Sequence, residues 1–179
     1  MLNLYLMLID DESDKSKFEK VYYKYRILMH HVALKTLHDD RLAEEAVQEA
    51  FFRVARNFHK VSDIDDIKTR NFLAMITQRV AVTMAEKEAK HTAASEEDVE
   101  KMDTAIDDTA FAHYSRNELM QAITQLPEIY KQVLYLQGVY EYTNAEIAGL
   151  LGISTETVKK RVQRGRRILK ERLGNDYGQ

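Results

Sequence analysis

The chain has 179 residues, 45% of them hydrophobic, with one proline and six glycines; that length admits one domain or two small ones, and the apolar content suffices for a core. So few turn residues disfavour a strand-rich fold and leave an all-α architecture. The absence of cysteine excludes disulfide frameworks, thiolate zinc sites and cysteine nucleophiles, and the net charge of −3 by itself speaks against a nucleic-acid partner.

The distribution of charge reverses that last reading. From Pro127 to Gln179 there are nine Lys/Arg and six Asp/Glu, a net of +3, so the remainder carries 17 basic and 23 acidic residues, a net of −6. Asymmetry between parts of one chain points to parts with different partners.

At the N-terminus, MLNLYLMLIDD has no basic residue before its apolar run and acidic residues after it, unlike a secretory signal. It reads as the first turns of an amphipathic helix. No stretch approaches the roughly 20 apolar residues of a membrane span, so the expectation is a cytoplasmic chain without membrane insertion. A helix over about 15–37 follows from Phe18, Val21, Tyr22, Tyr25, Leu28, Met29, Val32, Ala33 and Leu37, at three- and four-residue spacings. After a break at His38-Asp39-Asp40, a second helix covers about 41–57, with Leu42, Ala46, Val47, Ala50, Phe51, Val54 and Phe58 on one side. A third covers about 69–90, with Phe72, Leu73, Ile76, Val80, Thr83 and Met84 as its stripe. Between Ala94 and Asp108 there are seven acidic residues and one Lys101. Such a segment buries too little to offset its ordering entropy and reads as a linker.

Beyond it, Leu119, Ile123 and Leu126 open a second apolar set. Pro127 suits the first position of a new helix, and Gly138 suits that helix's C-terminal cap. Thr143 with Glu146 three residues on is a capping box that starts the next helix. Gly152 ends it, and Ser154 caps the last helix, to about Leu173. The whole is all-α: a helical domain over 1–92, an acidic linker over 93–113, and a second domain over 114–179.

That last stretch carries the strongest motif, NAEIAGLLGISTETVKKRVQRGRRILKERL. Ala148 is small where two helices would cross, Gly152 supplies a positive φ, and Val158 anchors the second helix on the first. Ile147, Leu151 and Ile153 fill the space between. This is a helix-turn-helix, whose second helix enters the major groove of DNA. From Thr155 to Leu173 there are eight basic residues against Glu156 and Glu171, while Val158, Val162, Leu169 and Leu173 form the inward stripe. Thr155, Glu156, Lys159, Lys160 and Gln163 lie outward near the N-terminal end, the end that meets base edges. The later arginines suit phosphates. A basic run alone is usually a solvated face; here it coincides with a turn glycine and two capped helix starts.

Over these residues the chain resembles the sigma factors of bacterial RNA polymerase, in particular the small extracytoplasmic-function type. The resemblance spans LPEIYKQVLYLQGVYEYTNAEIAGLLGISTETVKKRVQRGRRILKERL, and implies that Thr143, Ser154, Thr155, Glu156, Thr157, Lys159, Lys160, Arg161, Gln163, Arg164 and Arg167 face a minus-thirty-five promoter element. AEEAVQEAFFRVAR is similar to the family's polymerase-gripping helix, which implies that Glu44, Glu45, Gln48, Glu49 and Arg53 meet core RNA polymerase. KTRNFLAMITQRVAVTMAEKEAKH sits where the family reads the minus-ten element, which implies roles there for Lys68, Thr69, Arg70, Phe72 and Arg79. That segment departs from the family pattern. Gln78-Arg79 stands where an Arg-Asn pair is common, Thr83 where Asp is common, and Glu86 and Glu88 where the family is arginine-rich; glutamates face phosphate poorly. The resemblance further implies a linker threaded through core polymerase, an anti-sigma factor as partner, and no cofactor or metal.

Two other readings differ in class. His38-Asp39 with His30, His31 and His59 suggests a metal-dependent phosphohydrolase, but adjacent His30 and His31 point about 100° apart on a helix and do not share one site easily. A sigma-like DNA-binding regulator, or a mimic that titrates an anti-sigma factor without opening promoters, would fit the altered 78–88 segment.

The linker composition makes one expectation testable. Limited proteolysis of the free chain is expected to cut first between Ala93 and Ala112 and release two folded pieces; first cleavage elsewhere, with that segment resistant, would contradict it.

Overall fold

A computed structural model describes residues 1–61, 63–90 and 116–176. Every regular element among them is helical: α1 (Leu2–Leu6), α2 (Glu12–Leu37), α3 (Asp40–Arg56), a 3-10 turn (Phe58–Lys60), α4 (Ile67–Lys90), α5 (Arg116–Thr124), α6 (Glu128–Val139), α7 (Asn144–Leu151) and α8 (Thr155–Asp176). The described residues divide into two compact units, one carrying α1 to α4 and the other α5 to α8 apart from residues 149–152. The acidic segment read as a linker, 93–113, lies outside the described residues.

In the first unit α2, α3 and α4 pack on one another. The α2 stripe is buried as the periodicity requires: Phe18, Val21, Tyr25, Met29 and Ala33. Its start is fixed by Asp11, whose carboxylate accepts from the backbone N–H of Ser13 at 2.8 Å and of Asp14 at 3.0 Å. The helix therefore begins three residues before the position read from the periodicity, because the cap and not the first apolar residue sets the boundary. The break at residues 38–39 is a hinge between two caps. His38 takes a left-handed φ of 54° and its N–H reaches the Leu34 carbonyl, while Asp39 accepts from the Leu42 N–H at 2.8 Å.

The helical turns read in the N-terminal run form a short helix of their own, α1, ending at Leu6 and packed on α2 and α3. Tyr5 is its anchor, 1% exposed. The Tyr5 ring lies 5.9 Å from Phe18 and 6.0 Å from Phe51, and its hydroxyl donates to the Gln48 carbonyl at 3.3 Å. Burial pushes the Tyr5 phenol up to about 12, so it remains a neutral donor. Phe18 also meets Phe58 edge-on at 5.1 Å and Phe51 at 6.0 Å, so one fully buried ring joins α1, α2, α3 and the 3-10 turn.

In the second unit α5, α6 and α8 pack together. Pro127 caps α6 from just outside it, one position earlier than expected. Gly138 is not a terminator; α6 runs through Val139, and Glu141, at φ 56°, turns the chain instead. Gly138 lacks the left-handed φ that a C-terminal cap glycine takes.

The Phe18 cluster dictates the stability of the first unit. Phe18→Ala is expected to destabilise it by about 3–5 kcal/mol, the cost of an emptied aromatic site. Denaturant unfolding of the full chain measures this; a loss under about 1 kcal/mol would show that the neighbouring rings refill the space.

Candidate nucleic-acid and polymerase interfaces

In the second unit, each start of the helix-turn-helix carries its cap. The Thr143 N–H donates to Glu146 Oε2 at 2.7 Å and the Glu146 N–H reaches Thr143 Oγ1 at 3.3 Å, the reciprocal pair of a capping box. Gly152 has φ +67°, the left-handed turn that the sequence assigned to it, and the Ile153 N–H closes the turn on the Ala148 carbonyl at 3.1 Å. Ser154 Oγ accepts from the Thr157 N–H at 3.0 Å and bonds the Thr157 hydroxyl at 2.8 Å. Ile147 and Leu151 are buried, Ile153 half-buried.

α8 buries Val158, Val162, Gly165, Leu169 and Leu173. Gly165 fits a close approach: a Cβ there would lie 2.9 Å from Leu134 Cδ1 and 3.2 Å from Tyr130 Cβ on α6. With that stripe inward, Thr155, Glu156, Lys159 and Lys160 stand exposed in the first two turns. Arg161, Gln163, Arg164 and Arg167 are half-buried along its flanks. Thr143, Ser154 and Thr157 are engaged in caps, so they set where α7 and α8 begin.

Arg166 and Arg172 serve the unit itself, which composition did not reveal. Arg166 Nη2 donates to Gln137 Oε1 at 3.0 Å, and Gln137 Nε2 reaches Asn144 Oδ1 at 3.3 Å. This relay ties α8 to α6 and α6 to the first residue of α7. Arg172 donates to the Gln125 carbonyl at 2.8 Å. The Tyr142 phenol, buried beside Glu146, has its pKa pushed up by burial and stays neutral.

In the first unit α3 has two faces. Ala43, Ala46, Val47, Ala50, Phe51, Val54 and Ala55 are buried, while Glu44, Glu45 and Glu49 are exposed and Gln48 half-buried. Arg41 donates to Glu45 at 2.5 Å, and Arg53 Nε donates to Glu49 at 2.6 Å. These are i,i+4 pairs worth about 0.3–0.5 kcal/mol each, so the ridge is not what holds the fold.

On α4 the structure departs from the sequence reading. Lys68 and Arg70 are exposed, but Thr69 is 3% exposed and Phe72 fully buried. The Thr69 hydroxyl donates to the Asp63 carbonyl at 2.5 Å. Both side chains position α4 and neither is offered to a partner, because the stripe that includes Phe72 is the face packed on α2 and α3. Arg79 is half-buried, and its Nε finds no hydrogen-bond partner among the described residues. Gln78 exchanges hydrogen bonds with Thr36 on α2 at 3.0 and 3.2 Å, and the Thr83 hydroxyl back-bonds the Arg79 carbonyl at 2.9 Å. Glu86, Lys87 and Glu88 are exposed.

His30 has a local role. His30 Nε2 lies 3.3 Å from Asp40 Oδ1, and Asp39 caps α3. Among the described residues, no three His, Cys, Asp or Glu side chains converge as metal ligands, and no helix is long and apolar enough to cross a membrane.

Family models described as Sigma-70 region 2 and Sigma-70, region 4 match residues 21–91 and 116–169 respectively. The RNA polymerase sigma factor SigV of Bacillus subtilis (strain 168) is 27% identical over 135 residues, 75% of this chain and 76% of its own length. The RNA polymerase sigma factor SigZ of the same organism is 27% identical over 148 residues, 80% of this chain and 82% of its own. Among solved structures, a sigma factor RpoE from Bartonella quintana, crystallised with the anti-sigma factor NepR, shares 18% identity. That likeness has a TM-score of 0.37, covering 88% of this chain and 96% of that one.

The layout of α8 separates two kinds of contact. Lys160→Ala is expected to change which DNA sequences are preferred, since a good base-edge contact discriminates by roughly 1–3 kcal/mol. Arg164→Ala is expected to weaken all sequences about equally and to lower the salt slope by about one. A binding series across DNA variants and salt concentrations checks both; identical behaviour of the two variants would mean that α8 does not enter the groove in this orientation.

Proposed function

The chain belongs to the sigma-70 family, with region 2 in its first unit and region 4 in its second, and on that premise we propose how its surfaces divide the work of an extracytoplasmic-function sigma factor. Such a factor binds core RNA polymerase and directs it to specific promoters. It lends specificity to an enzyme and carries no reaction of its own. The observation that carries the reading is the capped helix-turn-helix, with a cation-rich second helix that presents Thr155, Glu156, Lys159 and Lys160 exposed in its first two turns.

In this proposal α8 lies in the major groove at the minus-thirty-five element. Thr155, Glu156, Lys159, Lys160 and Gln163 read base edges, and Arg161, Arg164 and Arg167 meet phosphates and fix register. The ridge of Glu44, Glu45, Gln48, Glu49 and Arg53 docks on core polymerase. Lys68, Arg70 and Arg79 face the minus-ten strand, with Thr69 and Phe72 holding α4 beneath them. The acidic segment over 93–113 runs through the polymerase, where a negative chain suits a channel built for nucleic acid. Two weak footholds on one tethered chain add through effective concentration. An anti-sigma factor that masks the free chain is part of the same proposal, as is a cytoplasmic location.

A regulator working through region 4 alone would have no use for region 2. The match over 21–91 and the exposed α3 ridge therefore favour the full initiation factor. The exposed Glu86 and Glu88 bear on how strongly it engages the minus-ten strand.

Transcription reconstituted from core polymerase, the purified chain and its own upstream DNA tests the function; transcripts that do not depend on the chain would refute it. The docking ridge has its own test. A Glu45→Lys/Glu49→Lys double variant is expected to keep its fold, since each lost ion pair costs only tenths of a kcal/mol. It is expected to compete for core polymerase roughly tenfold less well. Undiminished competition would remove the ridge from the interface.

A further inference from the structure

The polymerase-docking ridge on α3 is small for the work assigned to it. A stable interface of ordinary size engages roughly 20–30 residues a side, and five side chains on one helix fall well short. What adjoins the ridge is α1, which lies outside the region 2 match at 21–91.

α1 buries only one side. Tyr5 fixes it by ring contacts and by the bond to the Gln48 carbonyl, which sets α1 against the ridge itself. Beside Tyr5 and away from the core, Met1 is 61% and Leu4 49% exposed, with the polar Asn3 exposed on the far side. Of the seven large apolar side chains exposed among the described residues, three lie on α1 or at its ends. Such clustering marks an interaction surface more often than chance exposure does.

Between α1 and α3 runs a shallow depression of about 310 Å³, in which Leu4 and Phe52 meet Glu45, Gln48 and Glu49. Three of the five ridge residues thus line one wall, and α1 supplies the apolar counterpart. Glu44 stands exposed one turn before Gln48 and has no salt-bridge partner among the described residues. The surface joins an apolar floor to carboxylates, so it fits an amphipathic helix with an apolar stripe and basic flanks.

We infer that α1 and α3 form one continuous docking face, and that Leu4 is a contact residue for an amphipathic, basic-flanked helix of core polymerase seated on it. This rests on the reading of α3 as the polymerase-docking helix. The ridge supplies charge complementarity, which steers association and weakens with salt. Leu4 and Phe52 supply apolar burial, which does not weaken with salt.

The test uses the full chain and purified core polymerase, with affinity measured by competition at low and high salt. Leu4→Ser is expected to weaken binding about tenfold at both salt concentrations, the loss expected for one buried leucine. Leu4→Gln gives a second, bulkier polar replacement should serine disturb α1, and thermal melts check the fold of each. Ile67→Ser, an exposed apolar position at the start of α4, is expected to bind like the unaltered chain. Unaltered binding by both Leu4 variants, with the Glu45/Glu49 double variant impaired, would leave the α3 reading standing and overturn the inference. Unaltered binding by all three would overturn both. A loss with Ile67→Ser equal to that with Leu4→Ser would also overturn it, because the effect would then not be local to α1.

Discussion

The second unit depends on the seam where α8 crosses α6. A helix with eight cations among nineteen residues repels itself and gains little from its own propensity; it is held by the stripe it buries. Gly165 lets that stripe come close enough to interlock, with Leu134 and Tyr130 where a side chain would otherwise stand. Once the seam is set, the roll of α8 about its own axis is set. Lys159 and Lys160 then face outward, and Arg166 faces Gln137. The exposed face of α8, proposed to read the groove, is a consequence of packing on the opposite side of the same helix.

The first unit solves a related problem with less charge and more aromatic area. Phe18, Phe51, Phe58 and Tyr5 meet at centroid separations of 5.1–6.0 Å, tying three helices and a turn at one point. Because the apolar face of α3 is buried there, its exposed carboxylates Glu45 and Glu49 add to the fold only weak ion pairs. An interface built on such a ridge can change its partner specificity at little cost to the fold. This is why a carboxylate-rich surface can sit on a helix whose other side is wholly apolar.

The two proposed interfaces also differ in how they depend on solution conditions. Contacts to phosphate gain from counterion release and fall steeply with salt. The α1–α3 face mixes carboxylates with apolar side chains, and only the former are screened. Sensitivity to ionic strength should therefore be concentrated on the DNA side of a bound factor, with attachment to polymerase more constant.

What the sequence determined by itself was local. The capping box at Thr143, the positive φ at Gly152, the cap at Ser154 and the apolar stripes of α2, α3 and α8 each depend on residues within a turn or two of one another. Short-range rules of that kind survive whatever the rest of the chain does. The acidic ridge of α3 was legible in the same way, as the complement of an apolar stripe. Tertiary structure alone decided the matters that need a partner far along the chain. Tyr5 and Gln48 are 43 residues apart, so nothing in the N-terminal run revealed that it folds back as α1. Thr69 and Phe72 carry residue types that suit either a core or a nucleic-acid surface, and the packing of α4 on α2 and α3 made them core. Arg166 and Arg172 are indistinguishable in sequence from the cations around them. They are engaged because Gln137 and the Gln125 carbonyl lay within reach once α5, α6 and α8 had packed, and a hydrogen bond is settled by distance in space, which a linear pattern does not record.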